Sequence, residues 1–439
     1  MNVLKDSISK TYLHYLLPTL LASVSGSLYC LADVYFIAEG SGSLGLAALN
    51  IVMPIFAIYS AIGLWIGSGC ASLLSIAYGQ KNETLRNQAF SLGMNLLVII
   101  GISFCILGLI FRKSLLYLFG SDASLYPYAE TYFIPVHCAA FSFILGYALP
   151  LFLRNDFAPK KAMLFTMSAN FLNIILDYVF VMIFQMGLQG AAIATAISSF
   201  VGVCFMLSHF FQPQCTLKYV GFAFDLSLMK RMLSAGFGAT ILEGSTSLIN
   251  VVFNHAIMNY GGALGLAAYS IVTNIAYVTK GLLNGFAQSS QPLISSNFGA
   301  RQFKRVKKSV ILSCVVTMCF ALLLYLSFLW KAEFWSSLFA SNDALLIEKA
   351  SFGIRIYFIS LLPNAFTCMM LTFLQGCEYG KSAAIIALCK GCIFTMVLIY
   401  PFSLLWQISG IYAVVPCSEI LGVLLSIYGV RRLWNECIS

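Results

Sequence analysis

Asp33 and Asp177 are acidic residues in stretches that otherwise read as lipid-soluble. Asp33 stands near the far end of the run from Thr11 to Ala38, TYLHYLLPTLLASVSGSLYCLADVYFIA, and Asp177 lies in FLNIILDYVFV, four residues after Asn173. That i, i+4 spacing puts Asn173 and Asp177 on one helix face. With about 1.5 Å of rise per residue, Asp33 falls about 6 Å, Asp177 about 10 Å and Thr195 about 12 Å inside the outer ends of their spans. Two carboxylates, an amide oxygen and a hydroxyl at one level can ligate a hard cation such as Na+ or share protons. The plainer alternative is a hydrogen-bonded structural cluster, with Asp33 reaching headgroup water from one turn inside its helix end. An ionised Asp amid hydrocarbon costs about 2.5–3.5 kcal/mol on insertion scales, so a chain that keeps one generally points it into protein or a water-filled cavity.

A second set of polar residues lies in the later half: Glu243, Lys280, Gln291, Lys390 and Glu419, all within apolar segments. They are read either as buried charges neutralising one another or as the lining of a substrate or ion path. His137 and His255 read as packed or hydrogen-bonded helix residues, and His14 and His209 as solvated ones near helix ends. Several motif-like strings fail on context. Gly376-Cys-Glu-Tyr-Gly-Lys-Ser382 is one residue short of a phosphate-binding loop and follows a helix instead of a strand. Gly40-Ser-Gly-Ser-Leu-Gly45 fits GxGxxG but joins two membrane helices, and Cys389-Lys-Gly-Cys392 lacks a second ligand pair. No resident cofactor or metal is expected beyond H+ or Na+ as a coupling ion, and no enzymatic constellation of Ser-His or His/Asp type stands out.

The elements that position these groups follow from composition. The chain of 439 residues is 60% hydrophobic and only 9% charged, far from the roughly 25% charged of a soluble globular domain. Hydrocarbon forces helix, because every backbone N–H and C=O must be satisfied within the segment. Apolar windows bounded by Gly, Pro or charge predict an all-α polytopic membrane protein with twelve transmembrane helices. Pro18 predicts a kink in the first of them. Most of the 25 Lys and Arg flank connectors on one side of that plan, with Arg112, Lys113, Lys331, Lys349 and Arg355 on the other. The positive-inside rule then places both termini in the cytoplasm. The net charge of +9 is thereby a topology signal; a nucleic-acid partner would need a basic face on a soluble domain, and none is present. The partners expected are the lipid bilayer and small molecules, with the chain working as a monomer.

Leu44-Gly-Leu-Ala-Ala48 recurs as Leu264-Gly-Leu-Ala-Ala268, and the same offset of 220 pairs Ser75 with Ser295, Gly79 with Gly299 and Lys161 with Lys381. Two six-helix lobes related by pseudo-twofold symmetry follow: residues 1–210 (helices one to six), a cytoplasmic linker at 211–231, and residues 232–439 (helices seven to twelve). Parallel repeats of this kind suit alternating access about a site near the midplane.

LADVYFIA after the first span, Gly45-Leu-Ala-Ala48, the stretch from Gly67 to Gly79 ending in SIAYGQ, and its copy GFAQSSQPLISSNFGA from Gly285 to Ala300 carry a resemblance. Across essentially its whole length the chain resembles transporters of the multidrug and toxic compound extrusion (MATE) family, in a bacterial branch. The resemblance implies two six-helix lobes forming a V and efflux of cationic, amphipathic organic compounds coupled to inward H+ or Na+, in the bacterial cytoplasmic membrane. It maps the family's amino-terminal-lobe ion site onto Asp33, Asn173, Asp177 and Thr195, and its bending first-helix proline onto Pro18. The other lobe departs from one sodium-coupled branch: Glu243 falls in the right helix, but the stretch from Leu371 to Gln375 carries no acid. A flippase for lipid-linked sugars on a related two-lobe plan is the rival reading; it would want an arginine-rich cavity, and few Arg lie within the spans.

Overall fold

A computed structural model describes residues 3–222, 225–339 and 343–436; the side chains of residues 43, 242, 243, 245–248, 250, 251, 263, 432 and 436 lie outside that description. Among the described residues there is no strand. Nine helices of the described residues are long and apolar enough to cross a membrane, or ten when the bent pair Tyr126–Cys138 and Ala140–Asn155, which meet at 53°, is taken as one span. The twelve windows of the sequence do not translate one for one into that number. Gly380–Arg431 runs as 52 residues, interrupted at Gln407, where the backbone leaves helical geometry at φ 50° and ψ −129°.

The repeat seen in the sequence recurs in the backbone. Gly42 (φ 59°, ψ −151°) and Gly262 (φ 59°, ψ −161°), 220 residues apart, break the first and the equivalent later helix. That region of backbone space is open essentially to glycine alone. No atom lies within 4 Å of where a side chain would begin at either glycine, so the constraint is conformational and not steric. Among the described residues, the six non-glycine residues with positive φ also fall into pairs at nearly the same offset: Lys81 with Arg301, Phe157 with Glu378, and Gln185 with Gln407. Pro18, by contrast, lies inside Ile8–Gly42 without taking its own backbone out of helical geometry.

The chain divides into two compact units, Leu17–Gly236 and Phe237–Ser439 with Asn2–Leu16. The core of the first is aromatic and aliphatic, with Tyr59, Phe133, Phe143, Phe152 and Leu149 buried together. Tyr59 donates to His137 Nδ1 at 2.6 Å, and His137 Nε2 meets the Phe104 carbonyl at 3.1 Å, so both ring nitrogens are satisfied in the core. Gly108 lies flush against that imidazole, where any side chain would collide with the ring.

The connector after helix Gly187–Ser208 packs within this first unit. Asn87, Ser91 and Asn95, one turn apart on helix Glu83–Ile110, form a polar stripe that receives it. Asn87 accepts from Lys218 N at 2.9 Å, Ser91 from Val220 N at 2.8 Å, and Asn95 from the Tyr219 hydroxyl at 2.9 Å. Arg86 donates to Thr216 Oγ1 at 2.6 Å and to the Asn155 carbonyl at 3.1 Å, and lies 3.4 Å from Asp156. The second unit holds the N-terminal segment by the same device. Arg305 donates to the carbonyls of Val3 at 3.1 Å and Asp6 at 2.7 Å, and to Asn297 Oδ1 at 2.9 Å.

Candidate functional site

In the first unit, helix Ile8–Gly42 brings Asp33 to helix Gly187–Ser208, where the Thr195 hydroxyl donates to Asp33 Oδ1 at 3.4 Å. Asn173 Nδ2, from helix Pro159–Asp177, donates to the same hydroxyl at 3.2 Å. Thr195 is thus a relay, accepting from the amide and donating to the carboxylate. Asp177 is fully buried, yet neither of its oxygens has a hydrogen-bond partner, and Asn173 Oδ1 is equally without one. Buried polar groups in folded proteins are rarely left unpaired, and acceptors clustered in this way can be satisfied by a proton, a small cation or water. Asp33 and Asp177 also sense one another's charge, and Tyr29 and Tyr132 lie within electrostatic reach of both.

The local backbone explains how these groups meet. Asp177 is the last α-helical residue before a π-helical turn, Tyr178–Ile183, a distortion that re-aims side chains and recurs at functional sites. Gly40 abuts that turn: a Cβ there would collide with Val181 and crowd Gly187. Lower on the same helix pair, Asn170 donates to Ser25 Oγ at 2.9 Å.

The second unit holds a different kind of cluster. Lys390 Nζ lies 2.9 Å from Glu419 Oε2 and donates to Thr367 Oγ1 at 2.6 Å, and Thr367 reaches Glu419 Oε2 at 3.2 Å. Lys280 faces Tyr357 and is within electrostatic reach of Glu419. Gln291 donates to Ser295 Oγ at 3.1 Å, within its own helix turn. The side chain of Glu243 lies outside the described residues. Lys390 and Glu419 therefore meet as the opposite-charge pair that the sequence allowed.

Among the described residues, one other gathering has metal-ligand composition: Asp156, His209 and Cys215. Its carboxylate is already engaged, since Oδ2 takes His209 Nε2 at 2.7 Å and Oδ1 takes the Thr216 backbone N–H at 3.1 Å. Lys161 stands 3.4 Å from His209 Nδ1, and Arg86 flanks the other side. Two resident cations and a saturated carboxylate make this a tie between connector and helix ends, not a metal centre. Burial pushes the Asp156 carboxyl up, and hydrogen bonds from His209 and Thr216 more than offset it, holding the group below its ordinary range.

The family model MatE matches the chain twice, over residues 18–179 and 240–401. The chain belongs to the MatE family. Those two stretches hold Asp33, Asn173 and Asp177 in the first copy and Lys280, Thr367 and Lys390 in the second. Among curated relatives, this MatE chain is 25% identical over 436 residues to the multidrug export protein MepA of Staphylococcus saprophyticus, covering 97% of this chain and 95% of that one. Its likeness to MepA of Staphylococcus aureus is also 25%, over 443 residues with the same coverage. Among solved structures it superposes with TM-score 0.93 on the outward-facing conformation of a multidrug resistance MATE family transporter of the MOP superfamily, at 20% identity over 99% of this chain and 98% of that one. A MOP superfamily transporter from Pyrococcus furiosus, described by a reversed polarity of its binding pocket, matches with TM-score 0.93 at 19% identity, over 100% of this chain and 98% of that one. At such identities the structural likeness establishes the fold, an all-helical MATE fold.

Reasoning from sequence had placed Asp33, Asn173, Asp177 and Thr195 at one level, and the structure connects three of them by hydrogen bonds and couples the fourth by charge. It missed Tyr29 and Tyr132. Tyr29 carries a usable signal, one turn before Asp33 on the same face. Tyr132 carries none, because it enters from the bent pair, whose approach no local spacing encodes.

Proposed function

We propose that this MatE chain exports small, cationic, amphipathic organic compounds across a bacterial plasma membrane in exchange for H+ or Na+, by alternating access and with both termini in the cytoplasm. The observation that carries the reading is the buried cluster in the first unit, where Asp177 has both oxygens unpartnered beside Asp33. Two buried carboxylates are costly together unless a positive species joins them. Capture of H+ or Na+ between Asp33 and Asp177 neutralises the pair, and Thr195 and Asn173 hold the oxygens in place for it. Coupling requires that the ion bind one access state more tightly than the other, because equal affinity shifts nothing. The names of the curated relatives support a small-molecule export role. Nothing in the cluster calls for a covalent step, so the chain is read as a transporter and not as an enzyme.

The deciding experiment measures dye accumulation and drug resistance in cells lacking their own pumps, with wild type, Asp33→Asn and Asp177→Asn at matched expression. Wild type is expected to lower accumulation and both variants to lose that effect. Accumulation equal to that of empty vector for wild type would overturn the reading. Proteoliposomes with imposed pH or sodium gradients then choose the ion.

A further inference from the structure

The buried cluster of the second unit consists of oxygens arranged around a nitrogen. Lys390 Nζ is surrounded by Glu419 Oε2 at 2.9 Å, Thr367 Oγ1 at 2.6 Å and Asn364 Oδ1 at 3.5 Å, and all four residues are buried. One carboxylate, one hydroxyl and one amide oxygen form the donor set that a monovalent cation takes in a protein interior, and an ammonium is a compact point charge of the same sign. The lysine is held for the purpose. It sits on a π-helical turn, Cys389–Ile393, and its stem lies against Gly422, where a Cβ would come within 3.2–3.4 Å of it. We propose that Lys390 is a tethered cation: its ammonium fills a monovalent-cation site built from Glu419, Thr367 and Asn364, and thereby keeps that site closed to free alkali ions. This is independent of which ion works at Asp33 and Asp177.

The test uses the full-length purified protein in a background carrying Asp33→Asn and Asp177→Asn, so that the first unit contributes no ion response. Melting temperatures are compared in sodium, potassium and ammonium chloride against choline chloride. The background is expected to melt alike in all four salts. Adding Lys390→Ala is expected to lower the melting temperature in choline, with a rise of several degrees when an alkali or ammonium ion is supplied. Adding Glu419→Gln to that variant is expected to abolish the response. A salt-indifferent Lys390→Ala protein overturns the proposal, whether because Lys280 takes over the carboxylate or because no ion enters. So does an alkali response in the background that Glu419→Gln removes. Failure of the Lys390→Ala protein to fold in every salt, while the double variant with Glu419→Gln folds, overturns it as well: the unmatched charge alone was then at fault, not the packing at Gly422, and no free ion replaced the ammonium.

Discussion

Asp177 combines complete burial with two orphaned oxygens, and that combination predicts a trade between stability and function. An unsatisfied buried polar group costs about 1–3 kcal/mol, more when charged. Asp177→Asn removes the charge while keeping size and one acceptor. In buffer free of Na+ and at alkaline pH, this variant is therefore expected to be more stable than wild type by about 1–3 kcal/mol, and to lose any stabilisation by added ion. A thermal melt of both proteins with and without ion reads the two effects at once. A variant less stable than wild type under those conditions would show that Asp177 is a structural acceptor. The residue was visible in the sequence because a carboxylate in FLNIILDYVFV has no other explanation than protein or water around it. Thr367 and Asn364 were not visible, because a hydroxyl and an amide in an apolar helix are unremarkable until a lysine from another helix arrives beside them.

At the scale of elements, the connector expected at 211–231 between the two repeats is bonded along helix Glu83–Ile110 and fastened at Asp156. The polar stripe Asn87, Ser91, Asn95 was legible as a period of four, but its partner was not, since an extended segment carries no periodicity to match against it. The helix breaks show the converse. Proline at position 18 predicts a kink from its missing N–H, while the break at Gly42 rests on a conformation that glycine adopts readily and that no periodicity announces. Asp156 gives this fastening a pH signature. Its folded-state value is depressed, so its contribution is fully present above the unfolded value of about 3.9 and is lost as pH falls through the lower folded value. Asp156→Asn leaves Arg86 buried beside an uncharged partner and is expected to cost about 3–5 kcal/mol near neutral pH. The gap in melting temperature between wild type and variant should hold constant down to about pH 4 and close only below it. A gap that closes well above pH 4 would show that the Asp156 carboxylate is not what fastens the connector.

Across the whole molecule the two halves share a backbone plan but not a charge plan. The positive-φ residues pair at offsets near 220, whereas the first half sets Asp33 beside Asp177 and the second sets Lys390 beside Glu419. Helical repetition is set by turns and glycines, which tolerate any side chain on the lipid-shielded face; site chemistry is set by single substitutions, so duplicated halves can diverge in function while holding one fold. Under the proposed antiport, ion response belongs to the first half alone, and thermodynamic linkage makes that measurable. If the ion lowers drug affinity by some factor, drug must lower ion affinity by the same factor. Binding of a fluorescent cationic dye, titrated with and without the coupling ion and then in the reverse order, is expected to give one reciprocal factor of about 5–150. Asp177→Asn should bring that factor to one, and the paired replacement of Lys390→Met with Glu419→Gln should leave it unchanged. A factor that survives Asp177→Asn and vanishes with the Lys390 and Glu419 replacements would move the coupling into the second half.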